Sequence, residues 1–262
     1  YARTYDSGDA GNLTISTNKL LVQDGAQVSA STRSKGNGGD LTVNAQDVQL
    51  IRGKGGSTGL YARTYDSGDA GNLTISTNRL LVQDGAVVSA STRSKGKGGD
   101  LTVDAQEIVE LIGRTENGRT SSGLYTSANS NSTGDAGNLT ISTNQLLVQD
   151  GAKVSASTGG KGKGGNLTVN AQDVQLIGGE GGSTGLFAQA ESNSTGDAGN
   201  LTISTYKLLV ETGAVVNAST NGKGKGGTVS VNAQDVQLMG GESGTASLYA
   251  TYYFIGAGGN LT

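Results

Sequence analysis

The chain of 262 residues contains no cysteine, no proline and no histidine, and only 4% of its residues are aromatic. Without cysteine, neither a disulfide framework nor a thiolate metal site is possible. Without histidine, the commonest general base and metal ligand is missing. Lysine and arginine number 19 against 22 aspartates and glutamates, and this net charge of −3 does not favour a nucleic-acid-binding protein. No run approaches the ~18 apolar residues of a membrane-spanning helix.

The chain is instead rich in glycine, with 45 residues, and consists of repeats. We treat residues 1–262 as a single repeat-built segment with double repeats at roughly 12–71, 72–137, 138–199 and 200–259. The first and last residues fall inside repeats, which predicts a segment of a longer chain. The asparagine of the motif GNLT marks each start, at Asn12, Asn72, Asn138, Asn200 and Asn260.

Each double repeat contains two similar halves. Both begin with a motif such as NLTI or DLTV, but the short half keeps one length in every copy while the long half varies, so the long half is expected to carry the adjustable loops. The short halves start at Asn12, Asn72, Asn138 and Asn200, and the long halves at Asp40, Asp100, Asn166 and Thr228.

Apolar residues alternate within each half, which is typical of β-strands. Three short strands per half, separated by turns with glycine and asparagine, predict an all-β fold in which each half is one coil of a parallel β-solenoid. About eight complete coils, stacked ~4.8 Å apart, would form a rod roughly 40 Å long. In the first short half the inward residues are predicted to be Leu13, Ile15, Leu20, Val22, Val28 and Ala30.

The second long half tests whether the strands keep a constant pairing register from coil to coil. Its sequence DAQEIVELIG, Asp104–Gly113, has one residue more than its siblings. An extra residue would turn every later side chain to the wrong face unless a bulge absorbed it. We therefore predict a β-bulge near Ile108–Glu110.

The units GDAGNLTIST, LLVQDGA, VSAST and KGKGGNLTVNAQDVQL resemble the repeats of filamentous-haemagglutinin-like exoproteins, notably those of cyanobacteria. The resemblance implies a right-handed parallel β-helix, export by two-partner secretion, and a role as a surface adhesin or fibre. It carries over no catalytic, cofactor or metal-binding residues. The absence of proline and cysteine is compatible with export in an unfolded state.

From the repeats and this resemblance we expect a non-enzymatic structural shaft of a secreted, cell-surface or extracellular fibre, able to stack end to end into filaments. The alternative is a solenoid with a ligand-binding face for polysaccharide. Expected partners are other copies of the chain and surface polysaccharide, with no nucleic acid and no membrane insertion of this segment; no cofactor is expected.

Two apolar rows and one aromatic cluster are candidate contact surfaces. An aromatic residue recurs at one outward position on alternate coils, about 10 Å apart, where it could stack on sugars or cover the stem of a loop. A leucine row is a candidate lateral contact. The aromatic row is Tyr1, Tyr61, Tyr125, Phe187 and Tyr249; the leucine row is Leu21, Leu81, Leu147 and Leu209; and the cluster TYYFIG contributes Tyr252, Tyr253 and Phe254.

Charged corners are predicted to hold lysine–aspartate pairs between coils. The basic members are Lys35, Lys95, Lys97, Lys161 and Lys163, and the acidic members are Asp9, Asp69 and Asp135. We prefer such pairing to a polyanion-binding ridge, because alternating signs neutralise the local field.

Three further site types are less favoured. A threonine column is compatible with ice binding, although threonine also suits exposed strand positions. The motif GNGGDLTV, Gly36–Val43, loosely resembles a calcium-solenoid repeat, but Asp40 becomes Asn166 and Thr228 in later copies. An enzyme would need unique acidic and basic residues in one place; the candidates are Glu107, Glu110, Glu116, Arg114 and Arg119 in the longest half.

Overall fold

The computed structural model describes residues 1–2, 8–33, 35–179, 182–241, 244–250 and 260–262. Every strand in these ranges pairs in parallel with its counterpart in the next coil, and the fold is the predicted all-β solenoid of about eight turns. The described residues form no helix long and apolar enough to cross a membrane. The right-handed sense of the coil stays a prediction.

Two sheets of eight strands run along the solenoid. The long-strand sheet contains β1 Leu13–Gln23, β3 Leu41–Ile51, β5 Leu73–Gln83, β7 Leu101–Ile112, β9 Leu139–Gln149, β11 Leu167–Ile177, β13 Leu201–Glu211 and β15 Val229–Met239. The short-strand sheet contains β2 Gln27–Ser29, β4 Gly59–Tyr61, β6 Val87–Ser89, β8 Gly123–Tyr125, β10 Lys153–Ser155, β12 Gly185–Phe187, β14 Val215–Asn217 and β16 Ser247–Tyr249.

Each long strand bends in the middle and therefore supplies two of the three predicted strand segments. In β1 the pairing with β3 runs over Leu13–Thr17 and resumes at Lys19–Gln23, omitting Asn18. In β3 the fully buried residues are Leu41 and Val43 before this corner and Val48 and Leu50 after it, so the inward positions change from odd to even numbers. The bend lets one strand wrap two sides of the core.

The core consists of columns of like residues, as the repeats predict. Leu13 pairs with Leu41, Leu41 with Leu73 and so on to Val229, and the central members of this column have no exposed surface. Burying such side chains against identical neighbours stabilises each coil by roughly 1.5–3 kcal/mol per residue. A single coil lacks these neighbours, so its stability depends on the stack.

The predicted bulge is present in β7, but it lies earlier than Ile108–Glu110. Ala105 pairs with Thr77 and Ile108 with Arg79, so that Gln106 and Glu107 together face one residue of β5. This is the corner of the strand, where ladder pairing is already interrupted and both side chains are exposed. An extra residue placed later would have displaced Val109, which is fully buried.

A glycine column lets the coils approach closely before each long strand. A Cβ at Gly137 would collide with the carbonyl oxygen of Gly99, and a Cβ at Gly99 with that of Gly71. The same steric exclusion recurs along the rod, because each coil places its backbone against the equivalent backbone. The GG of the repeat is therefore a stacking requirement.

The first residue of each half forms a side-chain ladder. Its side-chain oxygen accepts a hydrogen bond from the backbone N–H of the equivalent residue in the next coil; for example, Asn12 Oδ1 accepts from the N–H of Asp40 at 2.8 Å. Asparagine and aspartate both carry a side-chain oxygen on the same short stem, which accounts for the N/D choice, and Thr228 takes part only through its own N–H. The series continues through Asn72, Asp100, Asn138, Asn166, Asn200 and Thr228.

Candidate functional site

The aromatic column exists at one register position of the short-strand sheet. Tyr61 pairs with Ser89, which pairs with Tyr125, and the alternation of large and small residues continues to Tyr249. The middle residue of each short strand from β4 to β14, such as Leu60, is buried in the core. The aromatic side chains therefore project from the opposite face of the sheet.

The rings are not freely exposed, however. Tyr61 is only 5% exposed and Phe187 only 7%, while Tyr125 and Tyr249 are half-buried and Tyr1 is 74% exposed. The hydroxyl of Tyr61 donates to the carbonyl oxygen of Thr58 at 3.1 Å, so the ring lies back along its own strand. The interpretation that these rings cover the stem of a loop fits this arrangement better than open sugar-stacking platforms.

Tyr125 follows the same pattern. Its hydroxyl donates to the carbonyl oxygen of Ser121 at 3.1 Å, and a Cβ on Gly123 would lie 3.1 Å from its ring. Burial raises the pKa of Tyr125 well above its usual value, and burial likewise raises the pKa of Tyr61. Both phenols thus remain neutral donors at physiological pH.

A groove of about 740 Å³ runs along this face. Its lining combines cations, hydroxyls and rings from successive coils. The cations are Arg63, Arg93, Arg119 and Lys153; the hydroxyls include Ser89, Ser91, Ser127 and Ser155; the aromatic residues are Tyr125, Phe187 and Tyr249; and one carboxylate, Glu191, is present.

Arginines converge on Tyr65 at one end of the groove. The guanidinium carbons of Arg33 and Arg93 lie 5.4 and 5.2 Å from the Tyr65 ring centroid, and Arg63 also hydrogen-bonds the Tyr65 side chain. Burial acts to raise the pKa of Tyr65, but the positive charge and hydrogen bond of Arg63, together with the charges of Arg93 and Arg33, outweigh it and lower that pKa. The site therefore favours negative charge.

Arg63 is held in place by its neighbours. Its Nε donates to Ser89 Oγ at 2.8 Å, and its guanidinium carbon lies 4.2 Å from the ring centroid of Tyr61. Burial lowers the pKa of Arg63, although the group stays cationic at neutral pH. No carboxylate among the described residues forms an ion pair with it.

Lys153 supplies the next positive charge along the groove. Its Nζ lies 5.7 Å from the Phe187 ring centroid. Burial lowers the pKa of Lys153, Glu191 opposes this effect, and Arg114 reinforces it. Neither Lys153 nor the groove arginines were singled out from the sequence, apart from Arg119. The available signal was the difference between coils, since Lys153 stands where sibling short halves carry Gln27, Val87 and Val215, whereas Arg63 and Arg93 recur as Arg3 and Arg33.

The unique acidic and basic residues of the longest half do not form one site. Glu110 lies 3.7 Å from Arg79 on the outer face of the long-strand sheet. Arg114 and Glu116 border a separate recess of about 500 Å³ beside Asp84. Arg119 faces the groove, and Glu107 lies at the corner of β7. The acid–base constellation considered for an enzyme is thus dispersed.

The leucine row is present, but its members are separated and mostly covered. Leu21 is 46% exposed, whereas Leu81, Leu147 and Leu209 are half-buried. Each leucine pairs with a polar residue on the neighbouring coils, Gln49, Glu110, Gln175 or Gln237. The row is therefore a mixed surface rather than a continuous apolar stripe.

The predicted lysine–aspartate pairing at the glycine-rich corner is wrong for the part of the chain that the structure describes. In the described residues the ion pairs are Lys19–Asp47 and Arg79–Glu110, and both lie on the long-strand sheet, away from the glycine-rich corner. Asp69 instead accepts a hydrogen bond from the backbone N–H of Lys97 at 2.8 Å. Backbone amides are fixed at this distance, whereas an exposed lysine would lose side-chain entropy to pair.

The threonine column is in register along the long-strand sheet, from Thr14 through Thr42, Thr74, Thr102, Thr140, Thr168 and Thr202 to Ser230. In the calcium-like motif, Asp40 Oδ1 accepts the backbone N–H of Asn72. Among the described residues no group of three or more aspartates or glutamates is placed to hold a metal ion. Tyr252, Tyr253 and Phe254 lie outside the described residues.

No protein family, no curated protein and no solved structure matches this chain.

Proposed function

We propose that the chain is a structural shaft of a secreted, cell-surface or extracellular fibre, without enzymatic activity. The observation that supports this most directly is the unbroken long-strand sheet, in which eight strands pair in register from β1 to β15. Such a stack becomes longer by the addition of similar coils, each of which is stabilised by its neighbours. That is what a rigid spacer requires.

Export as a two-partner-secreted, filamentous-haemagglutinin-like exoprotein belongs to the same proposal. Core columns, glycine stacking and the side-chain ladder use only contacts between adjacent coils. A chain of this kind can fold coil by coil after crossing a membrane, with no disulfide to form and no proline to isomerise. Self-association, end to end or side by side, would join such shafts into filaments.

Immunogold electron microscopy on intact source cells tests the proposal. An antibody raised against this chain should label extended material outside unpermeabilised cells. Label that appears only after permeabilisation would refute an extracellular shaft. Labelling of permeabilised and intact cells in parallel controls for epitope access.

A second candidate function is binding of polysaccharide along the short-strand sheet. The groove of about 740 Å³ favours it, because hydroxyl, aromatic and cationic side chains from several coils share one surface. This combination suits a hydroxyl-rich chain better than an apolar ligand. The shaft and the binding face are compatible, since they use different surfaces of the solenoid.

A further inference from the structure

We propose that the basic half of this groove binds the carboxylate groups of an acidic polysaccharide, a uronate-containing chain that lies along the solenoid axis. The inference rests on the polysaccharide-binding candidate above and adds the chemical class of its ligand. It assigns charge recognition to Arg63, Arg93, Arg119 and Lys153, which line the groove.

The charge balance of the groove favours an anionic ligand. Four cationic side chains and one carboxylate, Glu191, line it, although the whole chain has a net charge of −3. None of the four cations forms an ion pair within the described ranges, where the pairs are Lys19–Asp47 and Arg79–Glu110. Four positive charges therefore share one counter-charge, Glu191, and binding of an anion relieves the excess.

The arginines are also preorganised. Arg63 is fixed by Ser89 Oγ and by the Tyr61 ring, and Arg93 lies over the Tyr65 ring. A guanidinium group presents paired N–H donors that match the two oxygens of a carboxylate. Because these side chains are already ordered, binding costs less side-chain entropy than it would at a mobile surface arginine.

The shape of the groove selects a chain over a small ion. Its lining runs from the coil of Arg63 to the coil of Tyr249, six strand spacings or roughly 30 Å. Serine hydroxyls line its floor, and Ser127 and Ser155 lie 3.1 Å apart on adjacent coils. Repeated hydroxyls match the hydroxyls of successive sugar units, and equivalent positions two coils apart are separated by about the length of an extended disaccharide.

The aromatic residues argue against single-stranded nucleic acid as the occupant. Stacking of bases needs exposed ring faces, but of the rings that line the groove Phe187 is only 7% exposed and Tyr125 and Tyr249 are half-buried. Glu191 would further repel any phosphate placed beside it. A uronate chain can instead place neutral hydroxyls near Glu191 and its carboxylates near the arginines.

Isothermal titration calorimetry of the whole chain tests the proposal with hexagalacturonate as the probe and its methyl-esterified form as the matched ligand. The acid should bind, and its affinity should fall as salt is raised. The double variant Arg93→Gln/Arg119→Gln should weaken binding about 10- to 100-fold, the range for losing charge-assisted hydrogen bonds. Arg79→Gln, on the opposite sheet, is the control and should bind as the unmodified chain does.

Each alternative outcome overturns a distinct part of the argument. Equal affinity for the acid and the ester refutes carboxylate recognition while leaving polysaccharide binding in place. No binding of either form refutes both. Equal affinity for a single-stranded DNA hexamer, or an equal loss in Arg79→Gln, refutes a specific site and indicates general attraction for polyanions. Circular dichroism of each variant verifies that the solenoid is folded.

Discussion

Substituting Gly137 by alanine tests directly whether backbone stacking holds the coils together. The new Cβ would collide with the carbonyl oxygen of Gly99 and would lie 3.0 Å from the nitrogen of Asp100. Both are backbone groups, so no side-chain rotation relieves the clash. The coil must shift at this corner.

The expected cost follows from the bonds at that corner. Leu101 donates its backbone N–H to the carbonyl oxygen of Asn138 at 2.9 Å, and Asn138 donates its own to Asp100 Oδ1 at 2.7 Å. Losing both costs about 2 kcal/mol, and the overpacking itself costs about 1–3 kcal/mol. Gly137→Ala should therefore lower the free energy of unfolding by about 3–5 kcal/mol.

Gly56→Ala is the matched control. A Cβ at Gly56 has no atom within 4 Å, so this variant should be neutral or stabilised by about 0.4–1 kcal/mol. Urea unfolding followed by circular dichroism measures both variants, and hydrogen exchange at Asn138 shows whether the Gly137→Ala lesion is local. Equal urea midpoints for the two variants would show that glycine stacking does not support the rod.

Three further predictions concern the core, the corner and the phenols. Leu139→Ala removes a fully buried side chain and should cost about 2–5 kcal/mol in urea unfolding, whereas Leu147→Ala, outward and half-buried, should cost under about 1 kcal/mol; similar costs would contradict the assigned faces. Deletion of Glu107 should restore a regular corner and change stability by less than about 1 kcal/mol, and a larger loss would place the bulge elsewhere. In a spectrophotometric titration Tyr65 should ionise at lower pH than Tyr125, so Tyr65→Phe removes the earlier step. Burial raises the pKa of Tyr125 in the folded state, so the stability that its neutral phenol contributes is present below about pH 10 and is lost as the pH rises above that value. Above about pH 10, Tyr125→Phe should therefore lose less stability than the unmodified chain.

The fold follows from the sequence to an unusual degree because each position is repeated. Alternating residues such as Leu13 and Ile15 indicate strands, and their recurrence at Leu41 and Val43 indicates which strands are neighbours. In most folds the sequence does not indicate which strands are neighbours. The extra residue near Glu107 could likewise be detected by comparing halves of the same chain.

What could not be predicted depends on the adjacent coil. The bulge moved to the corner of β7 because pairing is already interrupted there, and a list of residues does not show that interruption. Asp69 accepts a hydrogen bond from the backbone N–H of Lys97 and forms no ion pair with the Lys97 ammonium group, because the amide is fixed at hydrogen-bonding distance. Tyr61 turned back towards Thr58, which alternation alone cannot specify.

The contrast between repeated and unrepeated residues separates the two proposed functions. The leucines, glycines and asparagines that recur in every coil are accounted for by contacts with their equivalents above and below. Arg63 and Lys153 are different, since the adjacent coils carry Ser31 and Ser91 beside Arg63 and Gly123 and Gly185 beside Lys153, and stacking proceeds without a cation there. Replacing a repeated residue should therefore shorten or unfold the rod, whereas replacing a groove cation should change what the rod binds and leave its architecture intact.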